Sequence, residues 1–152
     1  MSHRIVPAEP SHVRTLALNL RAGDAAEIEA AGMTAREALW RSYRTATRAR
    51  TAFVGDEIAA MWGIAGCPLG RIGKPWLLTA PPIEHAKLAI LREGRYEVLE
   101  MLSIFSELRG YVDGRYHRAL RLLDALGFSL SAEFPFGPFG VGFRIYSMRR
   151  MP

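Results

Sequence analysis

The chain has 152 residues, about the length of one domain, and its apolar (49%) and charged (23%) fractions are those of a globular protein. No apolar stretch approaches the roughly 18 residues of a membrane-spanning helix, and the N-terminal residues lack the apolar segment of a signal peptide. The single cysteine, Cys67, excludes an internal disulfide, and no histidine stands at a metal-ligand spacing from it. We therefore expect one domain over residues 1–152, with no metal and no membrane contact.

The net charge is +5, and all but two of the 20 basic residues are arginines. Arginine is well suited to phosphate because its planar guanidinium can donate two parallel hydrogen bonds. An excess of arginine, alanine and leucine also arises in proteins of GC-rich genomes, and we favour this interpretation. Nucleic-acid binding through arginine stays open as the alternative.

The spacing of apolar residues predicts an alternation of strands and helices. Helical spacing indicates helices that begin near Ser11, Asp24, Thr34, Pro81 and Tyr116. The pattern of the fourth is interrupted near Gly94, which predicts either two helices or one kinked helix. Alternating or continuous apolar runs, bounded by turn residues, predict seven strands, at residues 4–7, 51–54, 57–67, 75–79, 107–113, 128–134 and 141–148. The predicted order is one strand, three helices, three strands, a long helix, a strand, a helix and a hairpin.

The segment Ala119–Phe128, which reads ALRLLDALGF, resembles the late helix of the GNAT acyltransferases, commonly A-I-R-L-Y-E-K-L-G-F. This segment lies between a predicted strand and a predicted hairpin. With the order of the other predicted elements, it gives nearly the whole chain a resemblance to that family. The resemblance implies a single α/β (α+β) domain of GNAT type, with a central mixed, mostly antiparallel sheet flanked by helices.

A narrower resemblance is to a GNAT-like family of small internal virion or core proteins from short-tailed bacteriophages. It depends on Gly63–Cys67 and Trp76–Thr79, followed by a long helix, a strand at Tyr111 and the L-G-F helix. This resemblance implies a head or ejection component that contacts other virion proteins or itself. Such a protein would be found in the cytoplasm of the host bacterium, or in the virion if a phage encodes it.

The chain departs from the enzymes of the GNAT family at three places. Their strand before the long helix ends in a glycine-rich turn whose N–H groups hold the coenzyme A (CoA) diphosphate. The corresponding residues 79–86 contain no glycine, two prolines and an anion, Glu84. The tyrosine that protonates the leaving thiolate in the family corresponds to Leu123, which we expect to be buried. The family's asparagine corresponds to Tyr116, or to Asp113 if the loop is longer.

These departures favour a phage structural protein without a cofactor over an enzyme. The alternative is a CoA-dependent N-acetyltransferase with an atypical cofactor loop, and a third hypothesis is another ligand in the cleft between splayed strands. For the enzyme, the weak catalytic candidates are Glu84, His85, Asp113 and Tyr116. Acetyl-CoA would then contact residues around the loop, which are Leu78, Thr79, Ala80, Ile83 and His85.

Two surfaces are candidates for contacts with partners. Phe136 and Phe139 flank a Gly/Pro-rich loop that could present them to another protein, although both rings could instead fold into the core. Arg41, Arg44 and Arg48 stand at helical spacing and form a basic stripe, which is usually a solvated face and in a phage head could touch DNA. We expect Cys67 to be a buried small apolar residue.

Overall fold

The computed structural model describes residues 2–67 and 69–152. Within these residues, fourteen helices and strands follow one another. They are β1 (His3–Pro7), α1 (Pro10–Ala17), α2 (Ala22–Ala30), α3 (Ala35–Thr45), β2 (Ala46–Val54), β3 (Glu57–Ala65), β4 (Ile72–Thr79), a short 3-10 helix (Pro81–His85), α4 (Lys87–Ile104), β5 (Glu107–Asp113), α5 (His117–Leu126), β6 (Ser129–Leu130), β7 (Phe134–Phe136) and β8 (Val141–Arg149).

The strands form one mixed sheet of eight, in the order β1-β2-β3-β4-β5-β8-β6, with β7 also paired to β8. β4 and β5 are parallel, and every other pair is antiparallel. The predicted fold class, an α/β domain with a mostly antiparallel sheet flanked by helices, is confirmed. No helix of the described residues is long and apolar enough to cross a membrane.

Helices cover both faces of the sheet, and alternate strand residues point to opposite layers. Met61 packs with α1, α2 and α3, where Leu16 and Leu39 are fully buried. Its neighbour Trp62 packs instead with α4 and α5, in a cluster that includes Met101. The central strands therefore separate two apolar cores.

β4 and β5 pair only at their first residues and then diverge. Ile72 lies opposite Glu107 and Gly73 opposite Leu108, and no further pairs follow. Pro75 cannot extend the ladder because proline has no N–H to donate. Its carbonyl accepts a hydrogen bond from the hydroxyl of Tyr146 on β8 at 2.7 Å. The Tyr146 ring reaches β4 across Gly110, where a Cβ atom would collide with it. This tyrosine therefore occupies the narrow end of the gap between the two strands.

We expect Tyr146→Phe to lower the free energy of unfolding by about 1–3 kcal/mol, because it leaves the buried carbonyl of Pro75 without a donor. Urea denaturation measures the change. Tyr96→Phe is the matched control, since Tyr96 is 57% exposed. Equal stabilities of the two variants would contradict this role of Tyr146.

Several predicted boundaries are wrong, and each has a local cause. The first helix begins at Pro10 rather than after a Ser11 cap, because proline is favoured at a helix's first position; Glu9 is the N-cap. The fourth helix, α4, runs through Gly94 without a break. A Cβ atom at Gly94 would lie 3.1 Å from Leu126, so this glycine allows α5 to approach closely. Cys67, expected to be buried, is exposed.

The predicted basic stripe is also wrong. α3 ends at Thr45, so Arg48 lies on β2 and not on the helix with Arg41 and Arg44. Its guanidinium instead binds the carboxylate of Glu97 on α4, which is 3% exposed, at 3.0 and 3.2 Å. The three arginines are at helical spacing in the sequence, but a helix ends and a strand begins between the second and the third.

Candidate active site

The divergence of β4 and β5 opens a cleft of about 870 Å3 that reaches both layers of the protein. Ligand sites typically measure roughly 300–1,000 Å3. Residues of α2 and α3 line one side of the cleft, and residues of α4 and α5 line the other. A pair of substrates could therefore meet in it from opposite faces of the sheet.

The edge of β4 that faces the cleft has backbone groups without partners in the sheet. Ala80 N donates to Ala59 of β3 at 2.9 Å, whereas Thr79 N turns the other way, toward Asp24 Oδ2 at 3.3 Å. Because N–H groups alternate in direction along a strand, the N–H of Leu77 faces the cleft like that of Thr79. Leu77 lies beyond the last residue paired with β5, so β5 does not take up its N–H, which can donate to a ligand.

Two carboxylates one helical turn apart on α2 hold the diverging ends of the strands. Asp24 Oδ2 accepts hydrogen bonds from both the N–H and the hydroxyl of Thr79, at the end of β4. Glu27 Oε2 accepts from the backbone N–H of Asp113, at the end of β5, at 3.1 Å. The helix α2 therefore bridges the open end of the cleft and aligns both carboxylates along it.

The environment of these carboxylates sets their proton affinity. Burial raises the pKa of Glu27 to about 7; the nearby charges of Asp24 and Asp113 add to the rise, and the hydrogen bond from Asp113 N opposes it. Burial also raises the pKa of Asp24, against hydrogen bonds from Thr79 and Tyr116. For Asp113, hydrogen bonds from Arg115 outweigh burial, so its pKa is lowered. Glu27 is thus the carboxylate that can exchange a proton near neutral pH.

Tyr116 joins this group from the start of α5. Its hydroxyl donates to Asp24 Oδ2 at 3.1 Å and accepts from the guanidinium of Arg21 at 3.1 Å. Its ring lies against α2 at Gly23, where a Cβ atom would collide with it. Burial raises the pKa of Tyr116, and the charge of Asp24 raises it further, so the phenol keeps its proton at neutral pH.

Positive charge surrounds Glu84 at the mouth of the cleft. Its carboxylate pairs with Arg21 at 2.7 Å, with Lys87 at 2.8 Å and with Arg118. The hydrogen bond from Lys87, with Arg118 and Arg21, lowers the pKa of Glu84 to about 2 although burial opposes this. Arg121 also lines the cleft. One carboxylate among these cations leaves an excess of positive charge.

The start of α4 adds N–H groups to this positive region. Ala86 is its N-cap residue and provides no side-chain cap. The first N–H groups of a helix have no partner within it, and the helix dipole favours an anion beside them. Side-chain cations and the α4 N-terminus therefore lie where the GNAT enzymes that the sequence resembles have their glycine-rich turn.

The structure places only some of the predicted catalytic candidates in the cleft. Tyr116 lines it, and Glu84 lies at its mouth among the cations. Asp113 is 2% exposed and contributes its backbone N–H to Glu27. His85 is exposed to solvent, outside the group of charged side chains that surrounds Glu84.

The predicted contacts for a cofactor divide in the same way. Leu78, Thr79 and Ile83 line the cleft. Ala80 is buried in the core beside α1. Leu123, which we expected to be buried away from any site, is half-buried and lines the cleft. That expectation is wrong because α5 covers the gap between β4 and β5 with its apolar face.

The two phenylalanines proposed as a contact surface differ in environment. Phe136 stacks on Tyr111, with ring centroids 4.8 Å apart, and also packs against the buried Phe143. It therefore belongs to an aromatic cluster beside the cleft, as the competing interpretation held. Phe139 is 70% exposed at the tip of the loop. Contact with a partner through Phe139 stays a prediction.

Sequence reasoning missed Arg21, Asp24 and Glu27, which organise the open end of the cleft. The available signal was the spacing of Asp24 and Glu27, which puts two carboxylates on one face of a short, alanine-rich helix. Paired carboxylates in that arrangement are usually solvated. Only the fold shows that Thr79 and Asp113 come to meet them.

Comparison with known proteins finds similarity to solved structures. No protein-family model matches the sequence, and no curated protein is significantly similar to it. The ribosomal-protein-S18-alanine N-acetyltransferase from Escherichia coli is 13% identical, with a TM-score of 0.70 over 99% of this chain and 96% of that one. RimL, a ribosomal L7/L12 alpha-N-protein acetyltransferase in complex with coenzyme A, is 10% identical, with a TM-score of 0.70 over 98% and 94%. An acetyltransferase of the GNAT family from Streptococcus pneumoniae is 15% identical, with a TM-score of 0.63 over 98% and 100%.

These similarities correct two expectations. The three similar structures named above are acetyltransferases, which contradicts the interpretation as a phage structural protein. One of them holds coenzyme A, which contradicts the expectation that no cofactor is used. Residues 79–86 lack the glycine-rich cradle, but Arg21 and Arg118, which are distant in sequence, join Lys87 around Glu84. At these identities the similarity establishes the fold, and the chain has the fold of the GNAT acetyltransferases.

Proposed function

We propose that this protein is a coenzyme A-dependent N-acyltransferase that modifies a primary amine. The observation that carries the proposal is the Glu27 carboxylate, whose pKa is about 7, at the open end of the cleft between β4 and β5. A base with this pKa can take a proton from an ammonium group at neutral pH. The similar structures named above, which act on amines, support the same class of reaction.

The residues at the mouth of the cleft fit the phosphate groups of coenzyme A in an atypical way. Pro81 and Pro82 provide no N–H groups, so the loop itself cannot surround a diphosphate. Lys87, Arg118 and the N-terminus of α4 provide charge and N–H donors instead. We infer that side-chain cations hold the phosphates here, a role that glycine-rich backbone has in the resembling enzymes.

Bound acetyl-CoA would supply an acyl group activated as a thioester. Within the cleft, the N–H of Leu77 can donate to an oxygen that gains negative charge, as oxyanion-binding N–H groups do. Glu27 takes the proton of the attacking amine, and burial, together with the charges of Asp24 and Asp113, keeps its affinity for that proton high. Tyr116 holds a proton on its hydroxyl, which can be given to a leaving thiolate.

Incubation of the protein with acetyl-CoA and a set of amines tests the proposal. Peptides with free N-termini, lysine peptides with blocked N-termini and polyamines cover the main amine classes. Products are followed by mass spectrometry, and released coenzyme A by chromatography, because the exposed Cys67 would react with thiol reagents. We expect one class to be acetylated. Absence of transfer to every class, with acetyl-CoA bound, would refute the proposal.

We expect Glu84→Gln to tighten coenzyme A binding about fivefold. The substitution removes the internal anion that Lys87 and Arg118 now contact, and each exposed pair of this kind contributes little by itself. Calorimetric titration measures the affinity. Glu57→Gln is the control, since Glu57 is exposed at the start of β3. Unchanged or weaker binding in Glu84→Gln would show that Glu84 does not compete for these cations.

A further inference from the structure

A second cavity lies behind the cleft, on the side of the sheet that α4 and α5 cover. Its volume is about 110 Å3, and its walls are almost wholly apolar. Trp62 and Leu77 form the floor on the sheet, Val98 and Met101 close it on α4, and Leu123 closes it on α5.

The cavity is continuous with the cleft at its reactive part. Leu77, Ile90 and Leu123 line both spaces. Leu77 is the residue whose N–H faces the cleft, while its side chain packs into the core on the α4 side. A group bound at the Leu77 backbone therefore has the cavity directly beside it.

The packing of α5 explains why this space is not filled. None of its residues is buried, although its apolar side chains point toward the core. Leu120, Leu123 and Leu126 are only partly covered by the cluster beneath them. A leucine at position 123, where the resembling enzymes have tyrosine, gives the wall an apolar surface.

We propose that this cavity binds the acyl chain of the donor, so that the preferred donor is a short-chain acyl-CoA longer than acetyl-CoA. The inference rests on the proposed function and names its substrate class. A dry apolar cavity of about 150 Å3 binds the six carbons of benzene, so this one holds about four carbons. The expected donors carry two to four carbons beyond the acetyl group.

Calorimetric titration of the wild-type protein with coenzyme A, acetyl-CoA, butyryl-CoA, hexanoyl-CoA and decanoyl-CoA tests this inference. Each buried methylene should tighten binding about fourfold. Butyryl-CoA, with two more methylenes, should therefore bind about 15-fold more tightly than acetyl-CoA, and the gain should stop after hexanoyl-CoA. Equal affinities of acetyl-CoA and butyryl-CoA would overturn the inference.

A variant that fills the cavity tests whether the tighter binding of longer acyl chains comes from this cavity. Val98→Phe should abolish the advantage of butyryl-CoA over acetyl-CoA, because Val98 is 9% exposed in the cavity wall. Leu99→Phe is the matched control, because Leu99 is 68% exposed on the same helix and should change neither affinity. Met101→Phe fills the same space if Val98→Phe does not fold. A folded filling variant that keeps the advantage would overturn the assignment.

The series also separates this inference from the function on which it rests. Binding of free coenzyme A without any gain from chain length would leave the proposed function standing and remove the acyl cavity. Absence of binding by every coenzyme A compound would remove the proposed function itself. The transfer assay with butyryl-CoA then checks whether the tighter ligand is also a substrate.

Discussion

Glu27→Gln is expected to reduce acyl transfer by about 10²- to 10⁴-fold, the usual contribution of a general base. Glutamine keeps an oxygen that can accept the hydrogen bond from Asp113 N, so the strand end should stay in place. It cannot take a proton from the amine. Steady-state rates at saturating acetyl-CoA measure the loss, and Glu29→Gln, exposed on the same helix, is the control. A Glu27→Gln variant with wild-type rates would show that the base lies elsewhere.

The pH dependence gives the same prediction a second readout. As pH increases toward 7, the ratio of the wild-type rate to the Glu27→Gln rate should rise about tenfold per pH unit. Above pH 7 the ratio should become constant. Taking the ratio cancels the ionisation of the acceptor amine, which affects both proteins equally. A flat ratio would mean that the ionisation of Glu27 does not control the reaction.

The free energy of unfolding should depend on pH in the opposite direction to the transfer rate: it should fall as pH rises. The pKa of Glu27 is raised in the folded state, so the folded protein binds more protons than the unfolded chain between about pH 4.5 and 7. Stability contributed by the protonated form is therefore lost as pH rises through that window. At pH 8 the wild-type carboxylate is charged and glutamine is not, so we expect Glu27→Gln to be more stable than wild type. The expected difference is about 2 kcal/mol, because solvent reduces the effect on a half-buried side chain. At pH 4, where Glu27 is protonated, the two proteins should be nearly equal in stability. Urea denaturation at both pH values checks this.

Tyr116→Phe should lower kcat about 10²-fold and leave KM for the acyl donor nearly unchanged. The variant removes the proton that the hydroxyl holds beside Asp24, and it does not touch Lys87 or Arg118 at the mouth of the cleft. A purely structural role would instead appear as a lower melting temperature with little effect on kcat. Unchanged kcat in a folded variant would remove Tyr116 from the chemistry.

Local patterns predicted the elements of the fold well. The spacing of apolar residues and the glycine at its end indicated the helix at 116–126, which the structure has at His117–Leu126. Gly127 is there in the left-handed conformation, with a φ of 96°. The hairpin turn at Gly55 and the strand at 107–113 were equally local signals. Such features depend on neighbours within a few residues, which a sequence displays directly.

The site could not be predicted in this way because its contacts join distant segments. Asp24 and Thr79 are 55 residues apart, and Glu27 and Asp113 are 86 apart. In the sequence, Glu84 is a lone anion in the loop, and this predicts that the loop does not bind phosphate. In the fold, Arg21 and Arg118 reach it from 63 and 34 residues away and reverse the local charge. A motif judged only by its own residues therefore gave the wrong conclusion about the cofactor.

The most direct test of the account is a calorimetric titration of acetyl-CoA into the wild-type protein and into Arg118→Gln. The account predicts saturable binding to wild type with a dissociation constant on the order of 10–100 μM, which corresponds to about −7 to −5.5 kcal/mol. Arg118→Gln should bind about tenfold more weakly, and salt should weaken wild-type binding because the phosphates are held by charge. Absence of binding to wild type at roughly 1 mM, or affinity that neither the substitution nor salt changes, would contradict the claim that this cleft holds acetyl-CoA.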